Sequence, residues 1–332
     1  MKMKRITIYD VAKEANVSLA TVSRVINGSD VVREDTRLKV EEAINKLGYK
    51  PNAIAQGLAL SKTTTIALVV PGTSIFMTGQ VINGLLDVAK IYKYNIVLHS
   101  VSEGITQMED VIDNIIKSRA DGVIIFNDKL NRNELATLNS YQIPIVVIGN
   151  RISDEMIGSV FIDYENLAYE TTVKYLDKGI EDIALIEDRR NPSYIRQLLR
   201  GVKKAFEERG LVFDQYVEIP KEYRSSYLYL KEYFKTHSHQ MVLAYRDSQA
   251  MAVLNTANEN GISVPDDMEI ICVYDSKYNS MARPQISSYK IPDYDLGAVA
   301  MRVMTKMLHD ENEVIDKEIE LSYIYTARKT TK

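Results

Sequence analysis

Residues 17–28 read VSLATVSRVING, and the reading of that stretch decides the fold of the first fifty residues. On a helical wheel Val22, Val25 and Ile26 cluster on one side at i, i+3, i+4 spacing. Ala20, Arg24 and Asn27 fall opposite, with Ser23 beside them. One arginine, one amide and small side chains that permit close approach make an unusual outer face. Arg can grip guanine O6 and N7 with two hydrogen bonds, and Asn can reach a base edge or a phosphate. Taken alone, the face suits either water or DNA, so its neighbours must decide.

Those neighbours are two more short helices. Ser18 is a good N-cap for the quoted helix, which runs to about Ile26. Upstream, Thr7 followed by Asp10 resembles a capping box ahead of Val11 and Ala12. Downstream, the pattern predicts a helix from about Glu34 to Leu47, with Leu38, Ile44 and Leu47 inward and Gly48 as the stop. Only Glu14-Ala15-Asn16-Val17 separates the first two helices, which is helix-turn-helix spacing. Residues 1–62 carry 11 Lys+Arg against 7 Asp+Glu, leaving 30 against 38 for the remainder of the 41 and 45 in the chain. A basic head on an acidic body implies that the head meets a polyanion.

After Tyr49-Lys50-Pro51 comes NAIAQGLALS, a helical pattern too short and too interrupted by Gly57 to stand alone. It is either a linker or a helix that orders only when something packs against it. Beyond Thr65 the pattern changes. IALVV, NIVLHSV, DGVIIF, PIVVIG, SVFID, DIALIE, MVLAY and EIICVYD are short β-rich runs, most of them separated by amphipathic helices such as 77–92, 105–118, 164–178 and 194–210. Strands apolar on both faces that alternate with helices imply doubly wound parallel sheets. About 270 residues suit two such sheets with a cleft between them. Ligands would sit at the carboxyl ends of the strands, after Val70, Phe126, Gly149, Asp163, Tyr245 and Asp275.

TIYDVAKEANVSLATVSRVING and LGYKPNAIAQGLA resemble the headpiece of the LacI/GalR family of bacterial transcription regulators, and the similarity continues through nearly the whole chain. The resemblance implies a small all-α helix-turn-helix headpiece (1–50), a hinge helix and linker (51–62) and a two-lobed α/β core of the periplasmic-binding-protein type for effector binding and dimerisation (63–332). It implies that the helix from Ser18 lies in the major groove with Leu19, Ala20 and Arg24 at the bases. Thr7, Ser18, Thr21, Ser23, Asn27 and Tyr49 would touch the DNA backbone or support the contact. Asn52, Ala55 and Leu58 fall in the hinge, with Leu58 wedged between central base pairs. An ordinary buried leucine in a linker is the other reading of that residue.

Within the family, KIYKYNIVL, VPDDMEII, MARPQISS and YDLGAVAMRVMTKML are similar to the regulators of carbon catabolite repression in Gram-positive bacteria. There the last segment helps dock the serine-phosphorylated phosphocarrier HPr as a corepressor. By position, Tyr294, Asp295, Ala298, Arg302 and Lys306 would form that surface, with Tyr92 and Tyr94 in the other half. Two cations one helical turn apart suit a phosphoserine. A helix packed on its own core with solvated charges would carry the same residues. For the cleft, the resemblance points to Arg196 and Asp275, and Asp163 and Arg246 stand at or just after strand ends that would face the same phosphorylated sugar or other small metabolite. Arg196 and Asp275 could equally pair with each other. Gly72, Ile75 and Arg246 depart from the family pattern at cleft positions.

Enzyme constellations are missing from the sequence: there is no G-x-S-x-G elbow, Walker A or G-x-G-x-x-G motif. His237 and His239 read as surface polar residues rather than a metal pair, and nothing asks for a cofactor. One cysteine, Cys272, excludes a disulfide framework and fits a reducing cytoplasm. MKMKRITIYD is no signal peptide, and no apolar run spans a membrane. The expectation is a cytoplasmic homodimer on double-stranded operator DNA. A sugar- or nucleoside-responsive repressor without HPr is the first alternative, and a solute-binding module with a vestigial headpiece is the second.

Overall fold

A computed structural model describes residues 6–50, 63–72, 78–101, 107–126, 132–152, 154, 157–187, 192–309 and 316–332. The hinge positions Asn52, Ala55 and Leu58, with all of 51–62, and Ile75 in the first cleft loop lie outside those residues. The chain divides into two units, Met1–Thr64 and Thr65–Lys332.

The first unit holds α1 (Ile8–Glu14), α2 (Leu19–Ile26) and α3 (Glu34–Leu47). Val11, Ala12, Ala15, Val22, Val25, Val40 and Ala43 form its buried centre, and Ile26, Ile44, Leu47 and Tyr49 pack around them. Leu38, expected inward, is 51% exposed. It lies about 200° around α3 from Val40, which puts it on the far side of the Val40–Ala43–Leu47 stripe. All three helices end on a left-handed residue, Asn16, Gly28 and Gly48, with φ of 53°, 69° and 62°. In each case the next amide reaches back into the last turn: Val17 to Ala12, Ser29 to Arg24 and Tyr49 to Ile44. This device satisfies orphan carbonyls and turns the chain sharply, which is why three helices fit in so few residues. Lys46 and Glu14, 2.5 Å apart, tie α3 to α1.

The second unit is two lobes, each with one six-stranded sheet. The first sheet is built from β1 (Thr65–Pro71), β2 (Asn95–Val101), β3 (Gly122–Phe126), β4 (Ile145–Ile148), β5 (Ile157–Phe161) and β11 (Glu318–Glu320). Its order is β11-β5-β4-β3-β1-β2 and every pair is parallel. The second uses β6 (Ile183–Glu187), β7 (Tyr216–Glu218), β8 (Met241–Ala244), β9 (Glu269–Cys272), β10 (Ser287–Lys290) and β12 (Ile324–Thr326), ordered β12-β10-β9-β8-β6-β7. It is parallel except for β12, which returns antiparallel on β10.

The helices relevant to function are α4 (Gly79–Ile91), α7 (Tyr164–Leu176), α8 (Pro192–Glu207), α10 (Asp247–Glu259) and α12 (Asp293–His309), with α5 (Met108–Ser118), α6 (Arg132–Ser140), α9 (Tyr223–Tyr233) and α11 (Lys277–Met281) completing the layers. Strands β3, β4, β5, β6, β8 and β9 are buried almost throughout, as sheets covered on both faces require. The edge strands β2, β7, β11 and β12 are more open, and in β2 Val97 and Leu98 face water. Helices α4 and α12 touch backbone to backbone: a Cβ on Gly84 would sit 1.9 Å from Tyr294 O, and one on Gly297 would sit 1.8 Å from Val81 O. No described helix is long and apolar enough to cross a membrane.

Candidate nucleic-acid interface, docking face and cleft

Ser18 fixes the start of α2. Its hydroxyl accepts from the Thr21 amide at 3.1 Å and shares a hydrogen with the Thr21 hydroxyl at 2.9 Å. With Val22 and Val25 buried, the helix presents Leu19, Ala20, Arg24 and Asn27 to water, while Thr21 and Ser23 are half-buried. Asn27 is the C-cap and donates to the Ser23 hydroxyl at 3.4 Å. Thr7 stands exposed at the start of α1, where its amide and hydroxyl both donate to Asp10, at 2.8 and 2.7 Å. Tyr49 packs against the headpiece core. Sequence reasoning passed over Arg37, which reaches from α3 to the Ser29 carbonyl at 2.9 Å. An arginine close behind a glycine-closed helix was the only local sign of it.

The docking residues are partly brought together. Along α12, Tyr294, Asp295, Arg302 and Lys306 are exposed, and neither Arg302 nor Lys306 is in an ion pair among the described residues. Tyr294 donates to Asp87 on α4 at 2.9 Å, and that hydrogen bond to a carboxylate pushes its hydroxyl above the ordinary tyrosine range. Ala298 does not belong to the surface: it is 4% exposed, one turn past Tyr294 on the side where α12 is pressed onto Gly84. Tyr92 is exposed at the end of α4, whereas Tyr94 is half-buried with its ring edge-on to His309 at 6.1 Å.

The four cleft residues divide into two groups. Asp163 and Arg196 line a cavity of about 490 Å³ with Asn150, Arg151, Phe161, Ser193 and Lys204 among its walls. Asp163 caps α7 by accepting from Asn166 at 2.8 Å, and Gln197 on α8 donates to Asn150 beyond β4 at 3.0 Å, joining the lobes across the cavity. Asp275 lies elsewhere. Its guanidinium partner is Arg328, not Arg196, at 3.0 Å, and the Ser288 hydroxyl donates to it at 2.7 Å. Burial alone would raise the Asp275 carboxyl, but these bonds outweigh it and hold the group below the usual carboxylate range. Arg246 is buried at the N-cap of α10, its amide donating to Gln249 at 3.0 Å and its guanidinium 5.7 Å from the centre of the Tyr245 ring.

Tyr164, Tyr194 and Tyr245 pack with ring centres 5.0 to 6.0 Å apart at the carboxyl ends of the strands. Nearby, Tyr274 donates to Asp293 at 2.7 Å; burial raises that carboxyl to about 6 although the hydrogen bond opposes it. His239, expected at the surface, is buried between Asp182 at 2.7 Å and Tyr233 at 2.8 Å. No metal-holding group of His, Cys, Asp and Glu exists among the described residues.

Residues 7–52 match the family of bacterial regulatory proteins of the lacI type, and residues 173–331 match a periplasmic binding protein-like domain. Catabolite control protein A of Priestia megaterium is 36% identical over 332 residues, covering 98% of this chain and 99% of the relative. The chain belongs to the LacI family of bacterial transcription regulators. The same protein of Staphylococcus epidermidis is 34% identical over 329 residues, covering 98% and 99%. Among solved structures, the lac repressor dimer bound to operator superimposes with a TM-score of 0.84 at 22% identity over 98% of this chain and 99% of that one. Catabolite control protein A of Lactococcus lactis gives 0.68 at 28% identity over 81% and 99%. This LacI-family chain is therefore a DNA-binding regulator, its relatives are regulators and not enzymes, and they support a place in catabolite control.

Proposed function

We propose that this LacI-family regulator works in the cytoplasm as a homodimer on a pseudo-palindromic operator, one headpiece per half-site. Arg24, Leu19 and Ala20 read bases, while Thr7, Ser18, Thr21, Ser23, Asn27 and Tyr49 hold or support the backbone. Asn52, Ala55 and Leu58 belong to the hinge. Serine-phosphorylated HPr is the corepressor, and the observation that carries this reading is the exposed face of α12. Arg302 and Lys306 stand one turn apart there without a salt-bridge partner among the described residues, beside Tyr294 and Asp295. A phosphoserine fits between such cations, and an aromatic rim supplies apolar contact area.

The polar cavity beside Asp163 and Arg196 supports a second, small-molecule input. Its walls hold Arg151, Arg196, Arg200 and Lys204 against Asp163 and Glu165, a balance that suits an anionic metabolite such as a phosphorylated sugar. Either input acts by shifting the core between two arrangements and so the hinge. Operator binding measured with and without serine-phosphorylated HPr tests the reading, and tightening is expected. Unchanged affinity with HPr, together with a response to phosphorylated sugars, replaces it with a metabolite-controlled repressor.

A further inference from the structure

A helix of eight residues is marginal in isolation, so both ends of α2 must be held from outside. Ser18 holds the first end. The second end is Arg24 to Ile26, closed by Gly28 in the left-handed conformation and by the Ser29 amide donating to the Arg24 carbonyl at 2.9 Å. That closure is only as firm as Ser29, which sits in an irregular stretch between α2 and α3. Val31, two residues on, is 81% exposed and anchors nothing. The Ser29 carbonyl accepts from Arg37 Nη2 at 2.9 Å, and Arg37 Nε lies 3.6 Å from Glu34. An unbroken path of hydrogen bonds thus runs from α3 through Ser29 to the carbonyl of Arg24.

We infer that Arg37 is a positioning residue for operator recognition, setting the last turn of α2 without touching DNA. The inference rests on the reading of α2 as the base-reading helix. The chemistry separates Arg37 from an ordinary phosphate contact. Its side chain is half-buried, 22% exposed. It is already committed to a backbone carbonyl and stands beside a carboxylate. A charged donor on a carbonyl is stronger than a neutral one, which suits a tie that must resist fraying each time the helix meets a duplex. Loss of the tie lets the Arg24 turn fray, so the arginine samples several orientations and base discrimination falls. Attraction to phosphates is left alone, because it depends on total charge and not on the aim of one side chain.

The test uses the full chain and the operator that wild type selects from a randomised pool. Affinity for that operator and for an unrelated duplex is measured by fluorescence anisotropy over a salt series, for wild type, Arg37→Lys, Arg37→Gln and Arg24→Ala. A positioning role predicts that Arg37→Gln loses about tenfold on the operator. Binding to the unrelated duplex and the slope of log K against log salt should stay close to wild type, because Arg37 neutralises no phosphate in this role. Arg37→Lys should recover most of the loss, since an ammonium still donates to Ser29. Equal weakening on both duplexes, with a slope reduced by about 1 in Arg37→Gln and restored in Arg37→Lys, would make Arg37 a phosphate contact and overturn the inference. Full operator affinity in Arg37→Gln overturns it too. If Arg37→Gln does not fold, Arg37→Lys decides: an operator preference measurably below wild type with an unchanged salt slope supports the inference, and wild-type preference, at any affinity, overturns it. Arg24→Ala separates the layers, because an unchanged base preference there defeats the reading of α2 itself, whereas a changed one beside a silent Arg37 defeats only Arg37.

Discussion

Replacing Asp293 by Asn should make the protein more stable at neutral pH. The carboxyl begins α12, is largely enclosed, and accepts from the Tyr274 hydroxyl at 2.7 Å. Burial raises it from 3.8 to about 6. That is a factor of about a hundred in proton affinity, or roughly 3 kcal/mol between the charged and neutral forms. The sign follows from proton counting: between these two values the folded chain holds a proton that the unfolded chain has released. Stability therefore falls as pH rises through that window. The penalty is complete above about pH 6, about half as large near pH 5, and almost gone below pH 4. Asn keeps an acceptor for Tyr274 and carries no charge, so it removes the penalty while preserving the contact. For a core of this size, a gain of roughly 3 kcal/mol corresponds to a rise of about 5 °C in Tm at pH 7.5. Melting curves of wild type and variant across a buffer series from pH 4.5 to 8 give the comparison. A rise of the same size at every pH, or none at any, would refute the reasoning, since a solvated carboxylate pays no such cost.

Four further outcomes follow from the geometry. Arg24→Ala should cost roughly 1–3 kcal/mol of operator affinity and relax preference at one base pair, read out in a randomised-operator selection. Ser18→Ala removes the cap of α2 and should lower headpiece stability by about 1 kcal/mol, seen as a lower first transition in a thermal melt. Gly297→Ala drives a methyl into Val81 O and should cost about 3 kcal/mol in core stability by forcing α4 and α12 apart; an unshifted melting temperature would show that the helices yield freely. Arg328→Met leaves Asp275 without its cation and should cost about 3 kcal/mol at pH 7. Because the Asp275 carboxyl is held low, that stability is present above the unfolded carboxylate range and is lost as pH falls. The gap between wild type and Arg328→Met should therefore close in acid.

The headpiece was legible because its determinants are local. Caps, a left-handed Asn or Gly after each helix, and apolar residues at helical spacing all lie within a few residues of what they specify. The exception, Leu38, shows the limit of counting apolar residues: Val40 and Ala43 form the inward stripe, and small residues carry it as well as large ones. Seven of the eight β-rich runs were also plain because strands buried on both faces leave unbroken apolar stretches, whereas NIVLHSV carries that pattern on an open edge, β2. Strands β7, β10, β11 and β12 were not. They have three or four residues each, and β10 reads SSYK, a strand with buried serines. Their pairing comes from distant partners, not from their own composition.

The candidate sites were legible only as far as single helices. Arg302 and Lys306 share a face of α12 by spacing alone, but nothing in the spacing reveals that Gly84 presses that helix close enough to bury Ala298. The Arg328 partner of Asp275 lies 53 residues away and was invisible for that reason. His239 likewise disappears into the core through Asp182, 57 residues earlier.

The way residues 293–332 are shared out has a consequence for synthesis. Helix α12 and strand β11 complete the first lobe, while β12 and the buried Thr330, which bonds Ile270 and Ser287, complete the second. Neither lobe can close until residues 318–330 have been made. Among the described residues, the core that holds the headpiece lies between Ile8 and Tyr49, so it can fold while the rest is still emerging. A chain cut short by damage to its message would thus carry a formed DNA-binding head on an unfinished body. In the homodimer proposed above, such a fragment would lack the core that sets two heads on one operator, so it would hold DNA weakly and answer to no partner.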